Sequence, residues 1–123
     1  MSALSDPPTM AFLCRKDLNL SAGKLAVQCA HAAVASLQRA KKTHSRMVQR
    51  WKESASRKIC LAVDDEEEIE YFLNLVQEAS LPFALIKDAG LTEVAPGTVT
   101  VLGVGPAPRH TMDSLFGELK TYE

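Results

Sequence analysis

The 123-residue chain holds 46% hydrophobic and 24% charged residues, a composition typical of one soluble globular domain with its own core. No apolar run approaches the about 20 residues of a membrane-spanning helix, so no membrane partner is expected. Residues 1–9 lack both a basic stretch and a long apolar stretch. They are predicted to be a disordered lead-in rather than a signal peptide, followed by a single domain over residues 10–123.

The net charge of −1 conceals an uneven distribution along the chain. Residues 1–58 hold 11 Lys/Arg and 3 Asp/Glu, a balance of +8, whereas residues 59–123 hold 3 and 12, a balance of −9. A basic half favours an anionic partner such as RNA, but folding could equally intermix the two signs. Charge alone leaves both interpretations open.

The first predicted elements are a strand and a long helix. The apolar segment 10–14 (MAFLC) predicts a strand. Ser21 is a candidate N-cap for a helix beginning near Ala22, whose alanine-rich apolar stripe would allow close packing on a sheet. Residues 43–45 (THS) are expected to interrupt this helix before a second, short one, in which Trp51 is interpreted as a core residue.

The second half of the chain alternates strands with shorter helices. Residues 58–63 (KICLAV) predict a strand, and Asp64 or Asp65 would cap a helix with an acidic first turn. Residues 83–87 (FALIK) and 98–103 predict two further strands, the last of them ended by Gly105-Pro106, before a closing helix over residues 111–120.

This order of elements, β-α-α-β-α-β-β-α, predicts an α/β fold. We expect a three-layer α-β-α arrangement, with helices on both faces of a mixed four-stranded sheet. The sheet is predicted to be mixed because no helix separates the third and fourth strands, which favours an antiparallel or irregular join.

A stripe of polar residues on the first helix is the first candidate site. Lys24, Gln28 and His31 stand at i, i+4 and i+7 and therefore share one helix face. Lys24 lies in the first turn, where its ammonium adds to the positive end of the helix dipole and could stabilise an anion. The alternative is a solvated face in which Lys24 only supports solubility.

A loop carboxylate is the second candidate. Asp88 follows the predicted strand 83–87, and sites in open α/β sheets gather at the carboxyl ends of strands. A nearby Lys24 would keep this carboxylate ionised. The alternative is a turn role, common for aspartate before glycine. Thr92 offers a hydroxyl in the same loop, and simple turn bonding would explain it equally well.

Other patterns are less specific. Four basic residues would form a stripe able to track an RNA backbone if the helix is continuous, and a solvated surface explains them as well: Arg39, Lys42, Arg46 and Arg50. The Gly103–Pro106 turn suggests phosphate binding but fits strand termination better. The three histidines and three cysteines show no metal-ligand spacing, so neither a metal nor a cofactor is expected, and the cysteines are interpreted as free thiols in a reducing, cytosolic compartment.

Three segments together resemble the type II peptidyl-tRNA hydrolases of archaea and eukaryotes: residues 16–37 (KDLNLSAGKLAVQCAHAAVASL), 88–106 (DAGLTEVAPGTVTVLGVGP) and 117–122 (GELKTY). The resemblance implies a metal-free esterase that frees transfer RNA from peptidyl-tRNA, with water as nucleophile. It also implies that the protein could form a homodimer.

The resemblance also assigns roles to residues. It places the family's helix lysine, glutamine and histidine on Lys24, Gln28 and His31. The loop aspartate and threonine fall on Asp88 and Thr92. Thr100 matches a further threonine near the site. We therefore expect Lys24, Asp88 and Thr92 to be catalytic and the others to bind substrate, together with Arg39, Lys42 and Arg46.

The sequence departs from the family in one place. Asn19, Ser21 and Ala22 stand where members of the family often carry additional lysines, which puts the phosphate contact in doubt more than the chemistry. This loss motivates one rival function, a non-catalytic module that binds transfer RNA. A nucleotide-binding protein that uses the Gly103–Pro106 turn is a second rival.

In the expected mechanism, Asp88, through Thr92 or His31, positions and deprotonates a water that attacks the peptide carbonyl. Lys24 and the helix N-terminus stabilise the oxyanion. Alternatively, Asp88 orients Lys24 or the substrate, because a carboxylate beside an ammonium is a weak base.

Overall fold

The computed structural model describes residues 7–90 and 93–123. Most of the predicted lead-in, residues 1–6, lies outside the described residues. Eight elements follow in chain order: β1 (Thr9–Arg15), α1 (Ala22–Thr43), α2 (Ser45–Glu53), β2 (Lys58–Val63), α3 (Glu66–Glu78), β3 (Phe83–Lys87), β4 (Val99–Ala107) and α4 (Arg109–Phe116). No helix within these residues is long and apolar enough to cross a membrane.

The four strands form one mixed sheet in the order β2-β1-β4-β3. β1 and β2 run parallel, whereas β4 is antiparallel to both β1 and β3. One face packs its apolar residues against α3 and α4, and the other packs against α1 and α2. The predicted three-layer architecture and the antiparallel join between the third and fourth strands are both confirmed.

Local signals place the starts of α1 and α3 and the break between α1 and α2 as expected. Ser21 is the N-cap of α1, and its hydroxyl accepts a hydrogen bond from the backbone N–H of Lys24. Asp65 caps α3 in the same way. His44 separates α1 from α2, which confirms the predicted interruption. Trp51 is buried, and its indole N–H donates to the carbonyl of Arg57 at 2.8 Å, as befits a core residue.

Close packing holds α1 against β4. A Cβ built on Gly103 would lie 3.0 Å from the Cβ of Ala32, so only the smallest residues fit at this crossing. One turn further along, the buried Ser36 hydroxyl donates to the carbonyl of Gly105 at 2.6 Å. These two contacts fix the middle of α1 on the sheet.

The predicted end of the fourth strand was wrong. β4 continues through Gly105-Pro106 to Ala107, which pairs with Thr9. The strand accommodates a proline because the pairing with β1 shifts register at this point, and a bulge tolerates the missing N–H. Gly105 has φ of +106°, a conformation open to glycine at little cost.

The closing helix is also shorter than predicted, since α4 ends at Phe116 rather than Lys120. The residues that follow lie along the free edge of β2. Ala62 donates its N–H to the carbonyl of Lys120, and Tyr122 donates to that of Cys60. Pairing with a sheet edge thus replaces the last helical turn.

Candidate active site

An ion pair joins the two residues that the sequence singled out most strongly. Lys24 lies in the first turn of α1, and Asp88 directly follows β3. Lys24 Nζ lies 2.5 Å from Asp88 Oδ1, and their side chains are only 11% and 3% exposed. A cation at a helix N-terminus and a carboxylate at a strand end therefore meet in one largely buried place.

The loop around Asp88 holds the carboxylate in position. Its Oδ2 accepts a hydrogen bond from the N–H of Gly90 at 2.9 Å. Its backbone N–H donates to the carbonyl of Thr98, and its carbonyl accepts from Gly97, both at 2.8 Å. The turn role considered as an alternative therefore exists as well, but it uses the other carboxylate oxygen. Asp88 therefore contacts Lys24 through one carboxylate oxygen and stabilises the turn through the other.

A buried hydrogen bond supports the site from below. Thr100 Oγ1 donates to Gln28 Oε1 at 2.6 Å, and both residues are almost fully buried. The same hydroxyl lies 3.3 Å from the carbonyl of Ile86. The bond from Thr100 fixes the orientation of the Gln28 amide, whose nitrogen remains a donor for a bound substrate.

The polar stripe of α1 lines an open cleft of about 520 Å³. Lys24, Gln28 and His31 form one wall, and Ile86 and Asp88 lie on the other. His31 is exposed at the rim. The structure thus brings together four of the predicted site residues, with Thr100 packed behind them. Thr92 lies outside the described residues.

Comparison with known proteins gives one consistent result. Residues 8–122 match the family model described as "Peptidyl-tRNA hydrolase PTH2". The chain belongs to the peptidyl-tRNA hydrolase PTH2 family. The resemblance found in the sequence is therefore confirmed.

Several members of this family are more than one third identical in sequence to this chain. The chain is 42% identical to a peptidyl-tRNA hydrolase of Thermococcus onnurineus, over 86% of this chain and 90% of the relative. It is 43% identical to one of Methanopyrus kandleri, over 85% and 90%. It is 37% identical to human peptidyl-tRNA hydrolase 2, mitochondrial, over 92% of this chain and 63% of that longer protein.

Three basic residues predicted to bind RNA, Arg39, Lys42 and Arg46, are not among the residues that line the cleft of this PTH2-family chain. Arg39 is 15 residues beyond Lys24 on α1, or about 22 Å along the helix axis. Its guanidinium donates to the carbonyl of Phe83, at the end of β3 opposite to Asp88. Lys42 and Arg46 are exposed on either side of the interruption at His44. The condition for one continuous helical stripe is therefore not met.

The nucleotide-binding alternative has no support in this PTH2-family fold. Gly103, Val104, Gly105 and Pro106 are buried inside β4 rather than exposed in a loop before a helix. Their backbone pairs with β1 and β3 or packs under α1. A phosphate has no access to them.

Sequence reasoning missed Glu93, which occupies the N-terminus of α1. Its two carboxylate oxygens accept hydrogen bonds from the Ser21 hydroxyl at 2.6 Å and the Ser21 backbone N–H at 2.9 Å. These bonds, with a smaller contribution from the charge of Lys24, hold the pKa of Glu93 below its usual range. The clue in the sequence was an acidic residue five positions after Asp88 in the same loop.

The three cysteines form a second feature that their spacing did not reveal. They carry free thiols, as predicted, but Cys14, Cys29 and Cys60 lie side by side, with all three sulfur atoms within 4.8 Å of one another. Hydrogen bonds from the thiols of Cys14 and Cys29 lower the pKa of Cys60, whereas hydrogen bonding to both neighbours and burial raise that of Cys14. The three thiols therefore interact strongly with one another.

Proposed function

We propose that this chain hydrolyses the ester bond between a peptide, or an N-blocked amino acid, and the 3′ end of transfer RNA, and so recycles transfer RNA from peptidyl-tRNA. Membership of the PTH2 family and the names of its curated relatives support this function. The observation that carries it is the largely buried Lys24–Asp88 pair, which lies in an open cleft at the N-terminus of a long helix.

In the proposed reaction, a water molecule attacks the ester carbonyl of the peptidyl group. Lys24 and the positive end of the α1 helix dipole stabilise the oxyanion that forms. Collapse of the tetrahedral intermediate breaks the bond to the ribose oxygen, which leaves as a hydroxyl after taking up the proton that the water has lost. Lys24 lines the cleft, which supports its contact with an ester bound there.

Asp88 is proposed to orient Lys24 rather than to act as the base. Its Oδ1 already accepts from the Lys24 ammonium and its Oδ2 from Gly90, so both oxygens are hydrogen-bonded. This supports Asp88 as the group that orients Lys24, with His31 at the rim of the cleft as the residue that accepts the proton of the water. Thr92 remains proposed as the residue that holds this water.

Substrate binding is proposed to involve two separate surfaces. Gln28, held by Thr100, contacts the peptidyl-adenosine end from within the cleft. The second surface holds Arg39, about 22 Å beyond Lys24 along the axis of α1, together with Lys42 and Arg46. These three residues are proposed to contact phosphates of the transfer RNA. Each phosphate contact would steepen the loss of affinity with salt.

The function is tested on a purified blocked aminoacyl-tRNA with the variants Lys24→Ala and Asp88→Asn. Both are expected to lower kcat/KM by about 100-fold or more, the usual cost of losing an oxyanion-stabilising group or its orientation. Asp113→Asn, an exposed aspartate of α4, is the matched control and is expected to keep full activity. A loss of under tenfold in both site variants would remove the pair from the mechanism.

A non-catalytic module that binds transfer RNA is the second candidate. The observation that favours it is Glu93, whose carboxylate occupies the start of α1 where an anionic group of a substrate would bind. The absence of lysine at Asn19, Ser21 and Ala22 points the same way. Binding of peptidyl-tRNA without release of its peptide would select this function over hydrolysis.

Three further properties are proposed. Hydrolysis is expected to need no metal ion, so it should continue with a chelator present. A cytoplasmic location is proposed, to be checked by fractionation, although the human relative is named as mitochondrial. A homodimer is supported by two exposed apolar residues seven positions apart on α1, Val27 and Val34. A single-protomer mass in solution would contradict the dimer.

A further inference from the structure

Three cysteine sulfurs from three different elements meet beneath the N-terminal half of α1. Cys14 lies on β1, Cys29 on α1 and Cys60 on β2. The Sγ atoms are separated by 3.6 Å for Cys14–Cys29, 3.4 Å for Cys14–Cys60 and 4.0 Å for Cys29–Cys60. The three side chains thus form a compact triangle with no disulfide.

The size of this triangle matches one face of a zinc tetrahedron. Zinc–thiolate bonds are about 2.3 Å long, so two sulfurs of a tetrahedral site lie about 3.8 Å apart. The observed separations lie on both sides of this value. A planar three-thiolate site of the kind that suits copper(I) would need all three separations near about 4.0 Å, which only Cys29–Cys60 reaches.

The triangle opens on one side into a cavity. Cys29 and Cys60 line a space of about 700 Å³, closed below by Phe12 and bordered by Tyr122. Lys16, Lys58 and the acidic residue Glu123 also line this space, and Lys16 donates a hydrogen bond to a Glu123 oxygen. Three thiolates and one zinc ion carry a net charge of −1, and Lys58 adds a positive charge at the same space. The cavity therefore offers room for a fourth ligand.

We propose that Cys14, Cys29 and Cys60 bind a zinc ion through three thiolates, with the fourth coordination position open to this cavity. Binding releases the thiol protons and replaces three weak sulfur contacts by three metal–sulfur bonds. The ion would join α1 to β1 and β2, the sheet edge on the far side from β3. A water molecule or a small ligand in the cavity would complete the tetrahedron.

This site is separate from the hydrolytic cleft. Lys24, Gln28 and His31 face β3 on one flank of α1, whereas Cys29 faces β2 on the other. The ion would therefore stabilise the fold without taking part in ester hydrolysis. Failure of the zinc proposal leaves the proposed hydrolase untouched, and the reverse also holds.

The first test uses wild-type protein, reduced and freed of metal, with zinc chloride as the probe. After dialysis, elemental analysis is expected to give one zinc per chain, and the melting temperature is expected to rise by at least about 5 °C. Cobalt(II) in place of zinc is expected to give the intense absorption of tetrahedral thiolate coordination. Ester hydrolysis by the zinc-free protein is expected to stay within twofold of that of the zinc-bound protein at a temperature where both are folded.

Variants show whether the sulfurs are the ligands. Cys29→Ser and Cys60→Ser are expected to weaken zinc binding by more than about 100-fold, since each removes one of three ligands. Ala26→Ser is the matched control, because it adds a hydroxyl to the same wall of the cavity and removes no sulfur. Any of three results would overturn the proposal. These are a stoichiometry below one zinc per five chains, unchanged zinc binding in both cysteine variants, and a disulfide among the three cysteines in the native protein.

Discussion

Removal of the charge of Lys24 is expected to destabilise the protein more than removal of the charge of Asp88. Lys24→Met keeps most of the volume of the side chain but deprives a carboxylate that is only 3% exposed of the ammonium beside it. Breaking a buried pair in this way costs about 3–5 kcal/mol. The hydrogen bond from Gly90 to Asp88 survives, so we expect the lower end, about 3 kcal/mol.

Asp88→Asn leaves the opposite partner. The ammonium of Lys24 is 11% exposed and lies on a flexible stem, so it can turn towards water. The asparagine oxygen also remains able to accept from Gly90. We therefore expect a loss of only about 1–2 kcal/mol.

Urea unfolding of the wild type, the two single variants and the double variant measures these differences directly. The double variant is expected to be more stable than Lys24→Met alone, because it no longer contains a buried carboxylate that has lost the ammonium of Lys24, although it should be as inactive as either single variant. If Lys24→Met proves no more damaging than Asp88→Asn, the carboxylate is hydrated and the reasoning from burial fails. Strict additivity in the double variant would mean that the two groups do not interact.

Three further predictions concern packing and pH. Ser36→Ala is expected to lower the free energy of unfolding by about 1–3 kcal/mol in a denaturant titration, because the buried carbonyl of Gly105 loses its donor. Gly103→Ala is expected to cost about 1–3 kcal/mol by the same assay, and Ala32→Gly in the same chain should recover part of it; no recovery would contradict a clash between the two. Glu93→Gln is expected to lower the urea midpoint more at pH 7 than at a pH below the ordinary carboxyl range. A lowered pKa stabilises the folded state above the ordinary value of 4.5, and this stabilisation is lost as the pH falls through the folded-state pKa; a pH-independent difference would contradict this origin.

Elements with a strong local signal could be predicted from the sequence. The Ser21 cap, the acidic first turn of α3 and the interruption at His44 depend on neighbouring residues only. The end of β4 was predicted wrongly by the same local reasoning, because Gly105-Pro106 normally stops a strand. Here a register shift against β1 accommodates it, and a register shift depends on the partner strand.

The candidate site was only partly predictable for the same reason. Lys24 and Asp88 were each found from their positions at an element end, but their contact depends on β3 lying next to β4 under α1. The cysteine triangle was missed because it depends on the register that places Cys60 opposite Phe12, two residues before Cys14. Spacing along the chain carries no information about that register.

The contacts at Ala32 and Ser36 have a consequence for the geometry of the first turn of α1. Lys24 lies eight residues before Ala32, so it extends about 12 Å from the point where the helix is pinned to β4. A tilt of about 5° at this pivot would displace the lysine by about 1 Å, enough to lower the rate of a well-aligned reaction substantially. The small residues where α1 crosses β4 thus determine how accurately the ammonium of Lys24 is positioned.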